Sequence, residues 1–507
     1  VTSINDDGDK EYGGLLILKH KVEDFEFYTL YGHNKVRSVL KNKIGTKIKK
    51  GDEITEIANY PENGNWAPHL HFQIMLSTLD YKIDFPGVCY YNQIDVWKGL
   101  CPNPNLLFKS VDLNYTNDKS DDELINYRKK HLGKSLKLHY EEPINIVRGE
   151  GVYLISKNGR KYLDTINNVA HVGHENESVV IEGQNQMSIL NTNSRYLHKS
   201  INELAEEIIQ TLPEKLNVIH FVNSGSEANE LAVRMMKSHT GSNDIIVSEN
   251  GYHGNTNICV DISSYKFDGK GGKGAPENTH VIPMPTKFNG KHKGEEACEG
   301  YINEIKNSIK NLKSKNRDLG GFIIEPIISC GGQVELPDGF LKTAYDLIRE
   351  NGGICISDEV QVGCGRLGES FWGFELHDVI PDIITIGKPL GNGHPIGAVV
   401  CTSEIAESFA NGMEFFNTFG GNPVSCSIAT QVLKVVKNEN LQKNAKTIGN
   451  YFKNELKNLS DKYDIIGDIR GQGLFLGIEF VDHKMNPLFR ETKYIVNRLK
   501  DLSLIHI

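Results

Sequence analysis

From about residue 122 onward, short apolar segments alternate with segments whose apolar residues recur at helical spacing. This alternation predicts an α/β layer architecture. Two segments with helical periodicity are SEANELAVRMMKSH and DGFLKTAYDLIREN. The predicted strands are VIHFVNS, DIIVSE, THVIPM, GGFIIEPI, GICISDEV, DIITIGK and GAVVCTS.

Residues 1–80 follow a different pattern, in which short alternating segments are separated by Gly, Asn, Asp and Pro. Such spacing predicts an all-β module. Its predicted strands are GGLLILKH, FEFYTLYGH, EITEIANY and HLHFQIML. Clusters of Pro, Asn and Asp then predict a connector over residues 81–121, with a second domain over 122–507.

The charge balance excludes one class of partner. The chain has 507 residues, with 56 Lys or Arg against 65 Asp or Glu, so its net charge is −9. This leaves no strong basic field for nucleic acid, and we expect a small-molecule ligand instead. Nine cysteines without a C-x-x-C pair predict reduced thiols and a cytoplasmic protein. No apolar run approaches the roughly 18 residues that cross a membrane. Because the chain begins with Val1 and not Met, a targeting segment ahead of Val1 is an alternative to a cytoplasmic protein.

One predicted strand, Ile383–Ile386, delivers a single lysine, Lys388, into a run of glycines and prolines. Because lysine is rarely buried, one interpretation is a solvated strand end. The other is a Schiff base with pyridoxal phosphate, since the covalent bond removes the need to solvate an ammonium group. The glycines would then let the chain turn tightly beside the cofactor.

An acidic pair, Asp358 and Glu359, ends the strand GICISDEV. A carboxylate leaving a buried strand needs a cationic partner or several hydrogen bonds. That partner is either a protonated pyridine nitrogen or an arginine. Tyr252 and His253, in ENGYHGNT, follow another strand, and their rings either stack on a flat cofactor or pack within a turn.

The turn Asn223-Ser224-Gly225-Ser226 joins a strand to a helix in FVNSGSEANELAVRMM. Glycine lets the backbone approach a ligand, and the free N–H groups of a helix N-terminus bind phosphate. The alternative is that Ser224 or Ser226 only caps the helix.

Together these motifs resemble the class III aminotransferases, fold-type I pyridoxal-phosphate enzymes, over about residues 128–480. The resemblance implies a large αβα domain at about 186–425 and a small α+β domain from 122–185 and 426–507. It also implies an enzyme acting on a small primary amine, and a homodimer with shared active sites. Because members of this family usually continue well beyond the RGQGL strand, we expect a truncated C-terminus.

The same resemblance implies roles for individual residues. Lys388 would be the Schiff-base lysine and would move a proton, while Asp358 would keep the pyridine nitrogen protonated. Gln361, in DEVQ, would hydrogen-bond the ring hydroxyl, and Thr418 would reach the phosphate from the neighbouring subunit. Arg470, in DIRGQGLFLGIE, would bind a substrate carboxylate. The other implied cofactor contacts are Ser224, Gly225, Ser226, Tyr252, His253 and Glu325.

Four segments, INNVAHVGH, NTNSRYLH, SCGGQ and GMEFFNTFGGNPVSC, resemble one branch of the family, the ethanolamine-phosphate and phosphohydroxylysine phospho-lyases. In that branch phosphate is expelled instead of an amino group being passed to a keto acid. We therefore predict a phospho-lyase for an amino-phosphate such as phosphoethanolamine, with a transaminase as the alternative. Arg195, in NSRYLH, would bind the substrate phosphate or form a surface ion pair.

In the N-terminal module, FYTLYGHN and GNWAPHLHFQI resemble the second half of an M23-type metallopeptidase domain. The resemblance implies that His71 binds zinc, with His33 and His69 assisting catalysis. Alternation would put His69 and His71 on one face of a strand. Since the family's other two ligands would precede Val1, we expect an incomplete site without zinc, in a module kept for architecture. The alternative is a degenerate or zinc-dependent peptidase domain.

Overall fold

The computed structural model describes residues 1, 3–6, 11–23, 25–81, 84–90, 93–108 and 119–505. It contains two compact units, one formed by Val1–Thr165 with Val496–Ile507 and the other by Ile166–Ile495. The connector predicted over 81–121 lies partly outside the described residues, as does the end of the closing LSLIHI segment. The predicted domain boundaries stay predictions.

The strands and helices alternate through most of the second unit. The strands are β1 (Ser3–Asp6), β2 (Gly14–Val22), β3 (Phe25–Asn34), β4 (His71–Met75), β5 (Ile146–Glu150), β6 (Tyr153–Ser156), β7 (Lys161–Asp164), β8 (Val218–Val222), β9 (Asp244–Ser248), β10 (Thr279–Ile282), β11 (Leu319–Ile324), β12 (Ile327–Ile328), β13 (Val334–Glu335), β14 (Ile354–Asp358), β15 (Ile383–Ile386), β16 (Gly397–Cys401), β17 (Ile466–Gln472), β18 (Phe475–Phe480) and β19 (Leu504–Ile505). The helices are α1 (Val36–Val39), α2 (Ile94–Leu100), α3 (Asn105–Phe108), α4 (Asp121–His131), α5 (Glu177–Ile189), α6 (Lys199–Ile209), α7 (Gly225–Thr240), α8 (Asn257–Asp261), α9 (Ser264–Phe267), α10 (Ala297–Ser314), α11 (Phe340–Glu350), α12 (Ser403–Phe409), α13 (Pro423–Asn438), α14 (Leu441–Ser460) and α15 (Phe489–Asp501). Short 3₁₀ turns cover Gly294–Glu296, Gly373–His377 and Lys388–Gly391.

A seven-stranded sheet in the order β10-β9-β11-β14-β15-β16-β8 forms the centre of the second unit. Neighbouring strands are parallel except around β16, which is antiparallel to both β15 and β8. Successive residues of one strand enter opposite cores, since Ile245 packs in the cluster containing α7 and Ile246 in the cluster containing α10 and α11. Burial on both faces explains why these strands are almost continuously apolar. The αβα fold is confirmed, and all seven strands predicted for it are present.

The first unit contains two separate four-stranded sheets, β1-β2-β3-β4 and β19-β7-β6-β5. The first sheet is antiparallel throughout. Because helix α1 also lies within residues 1–80, the all-β module stays a prediction. One predicted strand, EITEIANY, is wrong, because only an isolated bridge joins Ile57 to Asn34. The physical reason is that β3, which ends at Asn34, already pairs with β2 on one side and β4 on the other.

Candidate active site

The acid and the amine that the sequence singled out leave neighbouring parallel strands at the same edge of the sheet. Asp358 is the last residue of β14 and pairs in register with Thr385 of β15. Lys388 follows Thr385 closely and begins the 3₁₀ turn after that strand. Carboxyl ends of parallel strands are where ligands bind in open α/β sheets. Both groups therefore lie where a ligand site is expected.

The Asp358 carboxylate is buried and surrounded by donors. Its Oδ2 accepts hydrogen bonds from His253 Nδ1 and Asn229 Nδ2, each at 2.8 Å. Its Oδ1 accepts from the Val360 N–H at 3.1 Å, whereas the Thr385 hydroxyl donates its single proton to Asn229 Oδ1 at 2.7 Å. No arginine pairs with Asp358 among the described residues, so that alternative from the sequence is wrong. Three donors offset the cost of burying the charge and fix the orientation of the carboxylate.

The Lys388 side chain is only partly buried, and within the described part of the chain it forms no hydrogen bond or ion pair. Burial raises the pKa of the Cys330 thiol, in the SCGGQ segment, to about 11, and the positive charge of Lys388 is one of the smaller effects that oppose this rise. An amine without a partner, at the same sheet edge as a buried carboxylate, is available for reaction with a ligand carbonyl.

The turn before α7 offers free backbone donors. Ser224 caps the helix, since its hydroxyl accepts from the Glu227 N–H at 3.1 Å. The N–H groups of Gly225 and Ser226 donate no hydrogen bond to any described residue. Orphan donors at the N-terminus of a 16-residue helix are suited to an anion such as a phosphate group. Capping and anion binding are therefore compatible at this turn.

Gly225 is required for close packing at this turn. A Cβ at this position would lie 2.6 Å from Cγ1 of Val360, which is itself buried. The turn that precedes Lys388 packs on the same spot, because a Cβ on Gly387 would lie 3.2 Å from the Gly225 Cα. Because neither glycine has a side chain, the turn before α7 and the turn before Lys388 can pack closely against each other.

Replacing Gly225 with alanine is expected to lower the free energy of unfolding by about 1–3 kcal/mol. Alanine is a better helix former than glycine, but the clash with Val360 outweighs that gain. Urea unfolding monitored by circular dichroism measures the effect. Gly133→Ala is the control, because its new Cβ would come no closer than 3.7 Å to Ser135 Oγ. A Gly225→Ala protein as stable as the Gly133→Ala protein would contradict the prediction.

Glu325 lies in the same buried cluster. Burial, and secondarily the charge of Asp358, raises the pKa of Glu325 to about 7. The Ser329 hydroxyl donates to Glu325 Oε1, and the Tyr252 N–H donates to Oε2 at 3.4 Å. Glu325 therefore takes up a proton near neutral pH, which limits the negative charge beside Asp358.

A directional chain of hydrogen bonds fixes the Gln361 amide. Asn168 Nδ2 donates to Gln361 Oε1 at 2.6 Å, and Gln361 Nε2 donates to Ser329 Oγ at 2.8 Å. Since the Gln361 oxygen is occupied, only its second amide N–H stays available to a ligand. Asn168, Ser329 and Asn229 are site residues for which the sequence predicted no role. The quoted segments INNVAHVGH, SCGGQ and SEANE were the signals that contained them.

Tyr252 and His253 have different surroundings. The buried His253 ring bonds Asp358 through Nδ1, and its Nε2 has no partner among the described residues. Tyr252 is less buried, and its ring lies 5.8 Å from the Tyr265 ring. Burial raises the pKa of the Tyr252 hydroxyl. The His253 ring is therefore held by its hydrogen bond to Asp358, whereas the Tyr252 ring forms no hydrogen bond with that carboxylate.

Arg470 is already neutralised. Its Nη1 pairs with Asp468 at 2.9 Å and with Glu479 at 2.5 Å, and its Nε donates to the Gly332 carbonyl at 2.8 Å. Two carboxylates therefore occupy the guanidinium that the resemblance assigns to a substrate carboxylate.

Arg195 forms a surface ion pair, with Nη2 at 3.0 Å from Glu414, and its guanidinium lies over the Phe416 ring. This is the second of the two alternatives drawn from the sequence. Thr418 is exposed and follows Asn417, whose amide bonds Asn223 and Glu227 beside the α7 N-terminus.

Three histidines approach one another in the first unit. The His33 ring lies 4.4 Å from that of His69 and 5.9 Å from that of His71. The prediction that His69 and His71 share a strand face is wrong, because β4 begins at His71 and His69 precedes it. Burial lowers the pKa of His33 and His71. No group of three or more His, Cys, Asp or Glu side chains in the described ranges could hold a metal ion.

Comparison with known proteins gives the class of this chain. The family model "Aminotransferase class-III" matches residues 137–506, and the chain belongs to that family. Class III aminotransferases are enzymes that depend on pyridoxal phosphate and have the fold-type I architecture, as predicted. The match does not extend to the N-terminal module, so its resemblance to M23 peptidases stays a prediction.

Three similar proteins include both aminotransferases and phospho-lyases by name. The chain is 43% identical to alanine–glyoxylate aminotransferase 2-like of Drosophila melanogaster, over 76% of this chain and 80% of that protein. It is 38% identical to ethanolamine-phosphate phospho-lyase homolog 1 of Caenorhabditis elegans, over 72% of this chain and 80% of the relative. The solved structure of a phospholyase from Arthrobacter, in complex with phosphoethanolamine, superposes with a TM-score of 0.72 at 34% identity. The superposition covers 75% of this chain and 90% of the Arthrobacter chain. Lyase and transaminase relatives thus both occur.

Proposed function

We propose that this chain is a pyridoxal-phosphate-dependent phospho-lyase that removes phosphate from a small amino-phosphate such as phosphoethanolamine. The observation that carries the proposal is that two carboxylates already neutralise the positive charge of Arg470. A transaminase acting on amino and keto acids needs a free cation for the substrate carboxylate. Here Asp468 and Glu479 already occupy that cation, which favours a substrate without a carboxylate. The names of the nematode and Arthrobacter relatives support the same reaction.

The residues at the sheet edge fit the cofactor. Lys388 supplies a free amine, Asp358 a buried carboxylate for the ring nitrogen, and Gln361 one amide N–H for the ring hydroxyl. The donors of Gly225 and Ser226 would hold the phosphate, with Ser224 capping the helix beneath it. Tyr252 would stack on the ring, while His253 and Glu325 set the orientation and charge around Asp358.

When bound, pyridoxal phosphate with a charged ring nitrogen stabilises negative charge on the carbon that bears the amino group. The Asp358 carboxylate, held in place by three donors, would keep that nitrogen charged. Lys388 Nζ accepts the proton from the same carbon. The adjacent C–O bond then breaks and phosphate leaves with the electron pair. Overall, phosphoethanolamine and water give acetaldehyde, ammonia and inorganic phosphate.

Incubation with phosphoethanolamine tests the reaction. We expect release of inorganic phosphate and aldehyde, in equal amounts, with no keto acid present. Phosphate is measured by a colorimetric assay and aldehyde by coupled oxidation of a nicotinamide cofactor. Lys388→Ala protein prepared in parallel controls for contaminating phosphatase. Turnover that requires a keto acid and forms an amino acid without phosphate would instead establish the transaminase, the alternative that the name of the fly relative favours.

We also propose that the protein acts as a homodimer. Arg195 and Glu414 join two segments that expose large apolar side chains. Leu197 and Tyr196 are exposed beside Arg195, and Met413 and Phe419 are 73% and 69% exposed in the second segment. A contiguous apolar surface of this kind is typical of a subunit interface. Thr418 lies within it, consistent with its implied contact to a neighbouring cofactor phosphate.

A cytoplasmic location remains our proposal, and it is supported by the cysteines. All nine are free thiols, five of them buried. No helix in the described ranges is long and apolar enough to cross a membrane.

A further inference from the structure

Arg366, which ends the segment DEVQVGCGR, carries a charge that no described residue neutralises. Two other arginines of the second unit pair with carboxylates. Arg317 pairs with Asp244 and Glu277, and Arg349 with Asp382. Arg366 pairs with none, and its bonds within the described chain go only to neutral groups. A sequestered guanidinium without a counter-ion is costly, so an anion at this position would stabilise the site.

The Arg366 donors are only partly used. Nη2 donates to the Asn168 carbonyl at 3.2 Å and to His171 Nδ1 at 2.9 Å. Nε is buried and has no acceptor among the described residues. Nη1 forms no hydrogen bond with any of them either. The unused N–H groups are suited to an anion with several acceptor oxygens.

His171 orients Arg366 without neutralising it. Its Nε2 donates to the Cys364 carbonyl at 2.7 Å, so Nδ1 is the acceptor. Burial, and secondarily the charge of Arg366, lowers the pKa of His171 to about 3. The imidazole is therefore neutral near pH 7. Burial also lowers the pKa of Arg366, to about 10, which leaves the guanidinium charged.

Asn168 connects this cation to the proposed cofactor pocket. Its carbonyl accepts from Arg366, while its amide donates to Gln361 Oε1 at 2.6 Å. The same segment also contacts the turn after Lys388, since the Val172 N–H donates to Asn392 Oδ1 at 2.9 Å. Arg366 is thus joined through Asn168 to the residue that would contact the ring hydroxyl.

We propose that Arg366 binds the phosphate group of the substrate, and that Asn168 and His171 are its positioning residues. The proposal deepens the proposed function and rests on it. A phosphate monoester supplies both the negative charge and the acceptor oxygens that Arg366 lacks. Arg470 and Arg195 are less suited, because each already pairs with a carboxylate.

Titration calorimetry of the holoenzyme with inorganic phosphate tests the assignment, because bound pyridoxal phosphate fills the α7 turn and leaves the substrate site open. We expect Arg366→Gln to weaken phosphate binding at least tenfold and to raise KM for phosphoethanolamine similarly, with a smaller change in kcat. Arg498→Gln is the matched control, since that arginine is exposed and pairs only with Asp501 in the described chain. Unchanged phosphate binding by Arg366→Gln would overturn the proposal.

Arg366→Lys covers the case in which Arg366→Gln does not fold. It keeps the charge but has fewer donors, so we expect about three- to tenfold weaker phosphate binding with the cofactor absorbance retained. Wild-type affinity in this variant would contradict the assignment. So would wild-type holoenzyme that does not bind phosphate, as expected if a carboxylate of a second subunit covers Arg366.

The assay and the calorimetry separate the two proposals. If the wild-type protein binds inorganic phosphate through Arg366 but releases none from phosphoethanolamine, the anion site stands and the proposed reaction fails. If it releases phosphate and Arg366→Gln has unchanged KM and phosphate affinity, the reaction stands and the assignment of Arg366 fails.

Discussion

Lys388→Ala protein is expected to lose the visible absorbance of the lysine-linked cofactor and to release phosphate roughly 10⁴-fold more slowly than wild type. The variant removes both the amine that binds the cofactor and the group that accepts the substrate proton. Because Lys388 forms no hydrogen bond or ion pair with described residues, the fold should be unaffected. Absorbance spectra and the phosphate assay measure the two losses.

Lys434→Ala is the control for this experiment. Lys434 is exposed on α13, so its removal changes the net charge equally without touching the sheet edge. A Lys388→Ala protein that kept both the absorbance band and wild-type turnover would show that another lysine holds the cofactor.

Asp358→Asn protein is expected to lose roughly 10²- to 10³-fold in phosphate release, because the neutral amide no longer stabilises a charged ring nitrogen. It should also lose about 1–3 kcal/mol of stability. The reason is that Oδ2 of Asp358 accepts two hydrogen bonds and Oδ1 accepts another, whereas an Asn amide places donors against donors. Turnover and urea unfolding test the two effects.

The matched control is Asp338→Asn, since the Asp338 side chain is 93% exposed and pairs only with Lys287 at the surface. Full activity in Asp358→Asn, with the cofactor bound as in wild type, would remove the electrostatic basis of the proposed mechanism.

The positions of Lys388 and Asp358 could be predicted because Asp358 ends one apolar strand, Lys388 closely follows another, and parallel strands bring their carboxyl ends to one edge. The contact between Asn229 and Asp358 could not, since it depends on how α7 packs against the sheet, between residues 129 positions apart. At the turn before α7, helix capping and phosphate binding are compatible interpretations. Ser224 caps α7, while the N–H of Gly225 donates to no described residue and is available to an anion.

The acidic neighbours of Arg470 could have been predicted from the sequence. Asp468 and Arg470 are two positions apart in β17 and so point to the same face, and Asp468 pairs in register with Glu479 of β18. That pattern predicts an acidic cluster around the arginine. In contrast, nothing in the sequence of DEVQVGCGR indicates that Arg366 would be left without a carboxylate, because that outcome depends on every element packed around it.

The central claim is that the cofactor is attached at Lys388, opposite Asp358. Reduction of the holoenzyme with sodium borohydride, followed by peptide mass mapping, tests it most directly. We expect a single phosphopyridoxyl adduct, on the peptide that contains Lys388. An adduct on a different lysine, or holoenzyme that yields no adduct at all, would contradict the account.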